Sequence, residues 1–202
     1  SDVCSSDLKE MAYYKMNDFQ VHLNDNLIFY EDYGSVETAM EKAYTGFRLE
    51  SDIKKGQVIE GDSKGVANAA DLTSTDLSYS KKEFREFILD SREMGVNIVP
   101  EFDAPGHSGA FMDVRPDLHL KKTVEGNAAR AGEQFDLSDE HYADSSNFVK
   151  KLWDEYLTED MFDSSMVVHV GTDEYYGDAE AFRKFSDDII EHVQETNPTV
   201  RM

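Results

Sequence analysis

Three short apolar runs alternate with amphipathic helical stretches, and that alternation restricts the chain to very few folds. The runs are Phe19-Gln-Val-His-Leu23, Val96-Asn-Ile-Val-Pro-Glu-Phe102 and residues 166–171. Each follows a segment of helical periodicity, so the order reads helix, strand, helix, strand, helix, strand, helix, then the start of another strand at 199–202. A strand returned through a helix to the next strand builds a parallel sheet with right-handed crossovers, the α/β class.

The helices have explicit signals. Ser80-Lys-Lys-Glu83 has the form of a capping box, in which the serine hydroxyl and the glutamate carboxylate take up free N–H groups at the helix start. Phe84, Phe87, Ile88 and Ser91 then share one face, and Gly95 supplies the left-handed stop. Residues 145–156 place Phe148, Leu152 and Tyr156 together; a last helix from Gly177-Asp178 turns Phe182, Phe185, Ile189 and Val193 inward. A short helix is expected near 36–42, inside a long mixed region at 26–79, and a second long loop covers 108–143. Loops of that length are usually functional. Residues 1–8 carry no periodicity and are expected to be a leader or artefact outside the fold, leaving 9–202 as the domain.

All three strands run into acid: Asp25, Asp103, and the adjacent pair Asp173 and Glu174 closing Val167-Val-His-Val-Gly-Thr-Asp-Glu174. One such end is explained by a helix cap. Three in succession fall where α/β folds bind ligands, at the carboxyl ends of the strands. Two neighbouring carboxylates repel, so one of the pair should hold its proton closer to neutrality, giving an acid beside an anion.

Composition narrows the chemistry. With 20 basic against 42 acidic residues and a net charge of −22, phosphate backbones and anionic lipid are disfavoured partners, so no nucleic acid is expected. No apolar run reaches the roughly 18–20 residues of a membrane span. The single Cys4 excludes an internal disulfide and a thiolate-built zinc site. Neither His-x-His nor His-Glu-x-x-His is present to bind a catalytic metal, no Gly-x-Ser-x-Gly elbow carries a nucleophile, and no glycine-rich phosphate loop follows a strand. No cofactor or metal is expected. Carboxylate chemistry on a neutral substrate remains, with glycoside cleavage its commonest form.

Three motifs carry a family resemblance. His169-Val-Gly-Thr-Asp173-Glu174 resembles the His-x-Gly-x-Asp-Glu signature of family 20 glycoside hydrolases, the β-N-acetylhexosaminidases. Pro100-Glu-Phe-Asp103-Ala-Pro-Gly-His107 is similar to their Pro-Glu-(Ile/Phe)-Asp-x-Pro-Gly-His motif, and Lys15-Met-Asn-Asp-Phe-Gln-Val-His-Leu-Asn-Asp25 to their Lys-x-Asn-…-His-Leu-x-Asp segment. The motifs stand in family order. Two positions depart from the pattern: Asn26 replaces a second aspartate, and Thr172 replaces the glycine before Asp-Glu. Either would mark a subgroup with altered substrate preference.

The resemblance implies part of a (β/α)8 TIM barrel, strands two to four with their helices and the start of strand five. It also implies retaining hydrolysis assisted by the substrate's own 2-acetamido group, on an oligosaccharide or glycoconjugate. In that scheme Glu174 is the acid and base, Asp173 holds the acetamido N–H, and His107 with Asp25 forms a relay tuning Glu174. Asp103 supports the rim, and His169 and Arg48 are further candidates for sugar contacts. The family's first-strand arginine and later aromatic residues are not in this chain, so residues 1–202 alone are expected to be inactive. The alternatives are a lacto-N-biosidase of the same family and a non-catalytic carbohydrate-binding relative. An extracellular or cell-surface location would suit the full-length parent; oligomeric state is left open.

Plainer structural readings stand beside these. His169 and His22 lie inside strands, where a buried, hydrogen-bonded histidine is ordinary. Glu101 is expected to bond backbone, Tyr175 and Tyr176 to stack on sugar or pack on the following helix, and His119, His141 and His192 to lie at the surface.

Overall fold

The computed structural model describes residues 2–26, 30–54 and 71–196. A three-stranded parallel sheet is its centre: β1 (Asp18–His22), β4 (Asn97–Asp103) and β5 (His169–Gly171), with β4 in the middle. Two shorter strands, β2 (Asn24–Asn26) and β3 (Thr45–Phe47), form a separate antiparallel pair. The helices are α1 (Asp2–Tyr13), α2 (Val36–Lys42), α3 (Lys81–Glu93), α4 (Gly109–Val114), α5 (Tyr142–Tyr156) and α6 (Ala179–Thr196).

The sheet has two unlike faces, because successive residues of a strand point to opposite sides. Phe19 and Val21 of β1, Ile98 and Phe102 of β4, and Val170 of β5 share the helix-facing parity and belong to or pack on the main core. Phe102 is packed by Trp153 and Tyr156 of α5 at ring separations of 4.7 and 5.2 Å, and by Phe47 at 5.4 Å. The opposite face carries polar groups. The register aligns His22 with Glu101 and Glu101 with His169, so one row across the sheet reads imidazole, carboxylate, imidazole. The strands are therefore two-faced, apolar toward the helices and mainly polar on the other side, where Val99 is the apolar member of β4.

The capping box is present: Ser80 accepts from Glu83 N, and the Glu83 carboxylate accepts from Ser80 N. The inward face of α3 is Phe84, Ile88 and Ser91, with Phe87 only partly covered. Buried Phe148, Leu152 and Tyr156 lie on α5 as spaced, and α6 buries Phe185, Ile189 and Val193. The strand start expected at 199–202 lies outside the described residues.

Two expectations change. Helix α1 begins at Asp2 and Leu8 is buried in the main core, so the boundary placed after residue 8 falls inside a helix. The helical stretch read from the sequence at about 9–15 is the later part of this helix, which runs from Asp2 to Tyr13. The two long loops also contain more structure than the helix expected near 36–42, which is present as α2: β3 lies in the first, and α4 with a 3₁₀ turn at Pro116–Leu118 in the second.

Candidate active site

The ends of β1, β4 and β5 converge on one cleft of about 480 Å³ whose lining includes Asp25, His107, Glu133, Asp173, Glu174 and Tyr176. Asp25 is presented by β2, immediately beyond β1, paired to Gly46 of β3. Buried Asn24 fixes this junction. Its amide donates to the carbonyls of Asp103 (2.9 Å) and His107 (3.1 Å), and its carbonyl accepts from Asp103 N at 2.9 Å. One side chain thus ties the end of β1 to the end of β4 and to the loop bearing His107.

His107 is the hub. Its Nδ1 lies 2.8 Å from Asp25 Oδ1, while Nε2 lies 3.3 Å from Glu174 Oε2 and 3.7 Å from Asp173 Oδ2. Adjacent residues leaving a strand should diverge, yet both carboxylates reach the same nitrogen. The reason is local: β5 ends at Gly171, and Glu174 has φ of 48°, outside extended geometry. His107 has φ of 52°. A left-handed conformation costs a non-glycine residue roughly 1–2 kcal/mol, a strain characteristic of functional positions. Buried Gln134 holds the turn by accepting from Tyr176 N at 2.8 Å and donating to the Glu174 carbonyl. A Cβ on Gly106 would stand 2.9 Å from the carbonyl oxygens of both Asp173 and Glu174, so only glycine lets the two loops approach this closely.

Asp103 behaves differently from its neighbours. It is 1% exposed, and a Cβ at Gly171 would come within 2.9 Å of its Oδ1, so that glycine makes the space it occupies. Burial, reinforced by the Asp173 carboxylate, pushes its pKa up to about 8. Side chains of Asp173 and Glu174 are 69% and 67% exposed. Asp103 is thus a carboxyl on this rim that loss of water drives toward its neutral form. His107 is raised to about 9, first by its hydrogen bond to Asp25 and then by the charges of Asp103, Asp25 and Glu133. Burial pushes Asp25 upward, but its bonds from His107 and His22 outweigh this and hold it well below the usual carboxylate range.

Other candidates fall outside the cleft lining. Arg48 is engaged by Asp76 Oδ1 and Leu77 O, both at 2.8 Å, and by the Tyr44 hydroxyl. It borders a smaller groove of about 190 Å³ that shares Asp25 and Asn26 with the main cleft. His169 Nδ1 lies 3.3 Å from Glu101 Oε2 without hydrogen-bond geometry. Tyr175 packs on Phe182 at 5.5 Å and bonds Phe135 O, whereas Tyr176 faces the cleft beneath Arg130. His22 is 40% exposed, not buried, and Glu101 bonds side chains, His22 and Gln20, rather than backbone. His141 is buried, and His192 pairs with Asp154 at 2.7 Å.

Residues that the motifs did not single out as site components include Asn24, Gln134, Glu133 and Tyr30. Glu133 is pushed by burial to about 7, and its carboxylate accepts from Asn26 at 3.1 Å. The buried Tyr30 hydroxyl on the cleft wall has no partner among the described residues. Two clusters bring possible metal ligands within 4.8 Å of one another, His22–Glu101–Asp103 and Asp103–His107–Asp173. In the first, His22 turns both ring nitrogens to carboxylates and has no lone pair for an ion.

Carboxylates and an imidazole gathered at the ends of parallel strands define a protein equipped for acid–base chemistry on a bound ligand. The chain belongs to glycosyl hydrolase family 20: the model of that family's catalytic domain matches residues 3–199. A β-hexosaminidase of Akkermansia muciniphila is 26% identical over 183 residues, covering 84% of this chain and 31% of the relative. A lacto-N-biosidase of Bifidobacterium bifidum is 25% identical over 97 residues, 48% of this chain and 8% of the relative. Among solved structures, a family 20 β-N-acetylglucosaminidase aligns with a TM-score of 0.63 at 19% identity, covering 98% of this chain and 39% of that one. A Flavobacterium johnsoniae chitobiase aligns equally well at 20% identity, over 98% and 28%. The chain therefore spans well under half the length of each of these proteins.

Proposed function

We propose that the full-length protein carrying this chain is an exo-acting glycosidase that removes terminal β-linked N-acetylhexosamine from oligosaccharides or glycoconjugates. In this reading β1, β4 and β5 are consecutive strands of a (β/α)8 barrel, supported by the parallel order and by the family 20 alignments. The observation that carries the reading is the placement of His107 Nε2 against both Glu174 and Asp173 while Nδ1 is held by Asp25.

The chemistry is substrate-assisted. The carbonyl oxygen of the 2-acetamido group attacks the anomeric carbon as Glu174 gives its proton to the departing glycosidic oxygen. Asp173 accepts the acetamido N–H and stabilises the positive charge of the oxazolinium ring. Water then opens the ring, Glu174 recovers a proton from it, and the β configuration is retained. Arg48 and His169 lie outside the lining of the cleft and have no step in this scheme. The match to a lacto-N-biosidase favours one second reading, release of a disaccharide by the same pair.

The test is turnover of a chromogenic N-acetyl-β-glucosaminide by the full-length protein, with the first product anomer read by proton NMR. The reading expects the β anomer and no comparable rate on the glycoside lacking the acetamido group. Equal rates on both glycosides would overturn it.

A further inference from the structure

The polar row across the sheet continues the pair that ends at Asp25. We propose that Glu101 and His22 extend Asp25 and His107 into one chain of alternating carboxylates and imidazoles reaching Glu174, with His22 as the positioning residue that fixes Asp25 beneath His107.

The distances run without a gap. Glu101 Oε1 lies 2.8 Å from His22 Nδ1, His22 Nε2 lies 3.0 Å from Asp25 Oδ2, and the other Asp25 oxygen lies 2.8 Å from His107 Nδ1. The step from His107 Nε2 to Glu174 is 3.3 Å. The register explains why the chain exists: His22 and Glu101 are lateral neighbours on β1 and β4, and Asp25 follows His22 by three residues.

The geometry also dictates charge. A neutral imidazole has one donor nitrogen and one acceptor, and its lone pair would face a carboxylate oxygen. With both nitrogens of His22 at carboxylates, only the imidazolium satisfies the arrangement. In agreement, His22 is raised to about 10, chiefly by the hydrogen bond to Asp25 and then by that to Glu101. Glu101 is anchored in turn by the Gln20 amide, with His169 on its other side. Asp25 is thus gripped through both oxygens by two cations and cannot rotate away from His107. The groups facing His107 are Asp25 from β2, Asp103 from β4, Glu133, and the Asp173–Glu174 pair beyond β5.

A consequence follows for His107. His22 and His107 compete for one carboxylate, so removing the His22 cation leaves Asp25 wholly to His107. The test uses the full-length protein with ¹⁵N-labelled histidine. In the native protein both His22 nitrogens should be protonated at pH 8. His22→Gln should move the His107 titration midpoint upward by half a unit or more, and Glu101→Gln should lower the His22 midpoint by at least one unit. A neutral His22 at pH 8, or a His107 midpoint that stays or falls in His22→Gln, overturns the proposal. Should His22→Gln fail to fold, the Glu101→Gln measurement decides alone.

The effect on turnover rests on the function proposed above, whereas the NMR readout does not. His22→Gln is expected to lower kcat at least tenfold with KM within threefold. A shifted His107 with unchanged kcat would leave the chain of groups standing and count against the role given to Glu174.

Discussion

His107 Nδ1 and Asp25 Oδ1 lie 2.8 Å apart although 82 positions separate them in sequence. The contact joins the loop after β4 to the strand after β1, and both residues titrate far from their ordinary values because of it. Replacing Asp25 by Asn removes the largest cause of the His107 shift. Its midpoint should fall from about 9 toward the usual range near ~6.5, which a histidine NMR titration would measure.

The same shifts set a stability profile. His22 and His107 have folded values of about 10 and about 9, above the unfolded reference. Their contribution is therefore complete below about pH 6.5 and lost as pH rises through 9 to 10. Urea unfolding between pH 6 and 10 should show declining stability across that window, and Asp25→Asn should flatten the decline.

Asp103 acts in the same direction for a different reason. Its folded value of about 8 means that the native state binds more protons than the unfolded chain between roughly pH 4 and 8. Stability falls as pH rises through that interval, since the unfolded chain gives up this proton while the buried carboxyl must keep it. Asp103→Asn should therefore match the native protein near pH 4 and surpass it progressively toward pH 8 in melting temperature. A gain equal at all pH values would place the proton elsewhere.

Asn26 departs from the family pattern, and the structure supplies a physical reason. Its amide donates to Glu133 at 3.1 Å while its carbonyl accepts from Gly109 N at 2.9 Å. An aspartate there would set a second carboxylate against Glu133. Asn26→Asp should lower the melting temperature by about 3–6 °C at pH 8, corresponding to a loss of ~1–2 kcal/mol. At pH 5.5, where Glu133 can hold its proton, the loss should be small.

Asn24 should be among the most sensitive positions outside the apolar core. Asn24→Leu strands the carbonyls of Asp103 and His107 and the N–H of Asp103 in a buried site. Chemical denaturation should register a loss of about 2–4 kcal/mol.

Much of this was legible from the chain alone, for reasons that differ by element. Helix α3 announced itself because capping and one-sided packing are local, and the acidic strand ends were visible because Asp25, Asp103 and Asp173 follow closely on the ends of the apolar runs. The polar face was also written in the sequence, as Gln20, His22 and Asn24 alternating with Phe19, Val21 and Leu23, but reading the run as uniformly apolar concealed it. What could not be read was register. That Glu101 stands between His22 and His169, or that Gln134 spans Glu174 and Tyr176, depends on pairings 40 to 80 residues apart. Nor could spacing show that burial would push the Asp103 carboxyl upward.

The central claim is that Glu174 carries the proton and Asp173 holds the acetamido group. Its most direct test is kcat for an N-acetyl-β-glucosaminide in the full-length protein bearing Glu174→Gln or Asp173→Asn. The account predicts that each substitution lowers kcat by about 10²–10⁴-fold. Turnover within tenfold of the native rate in both variants would contradict it.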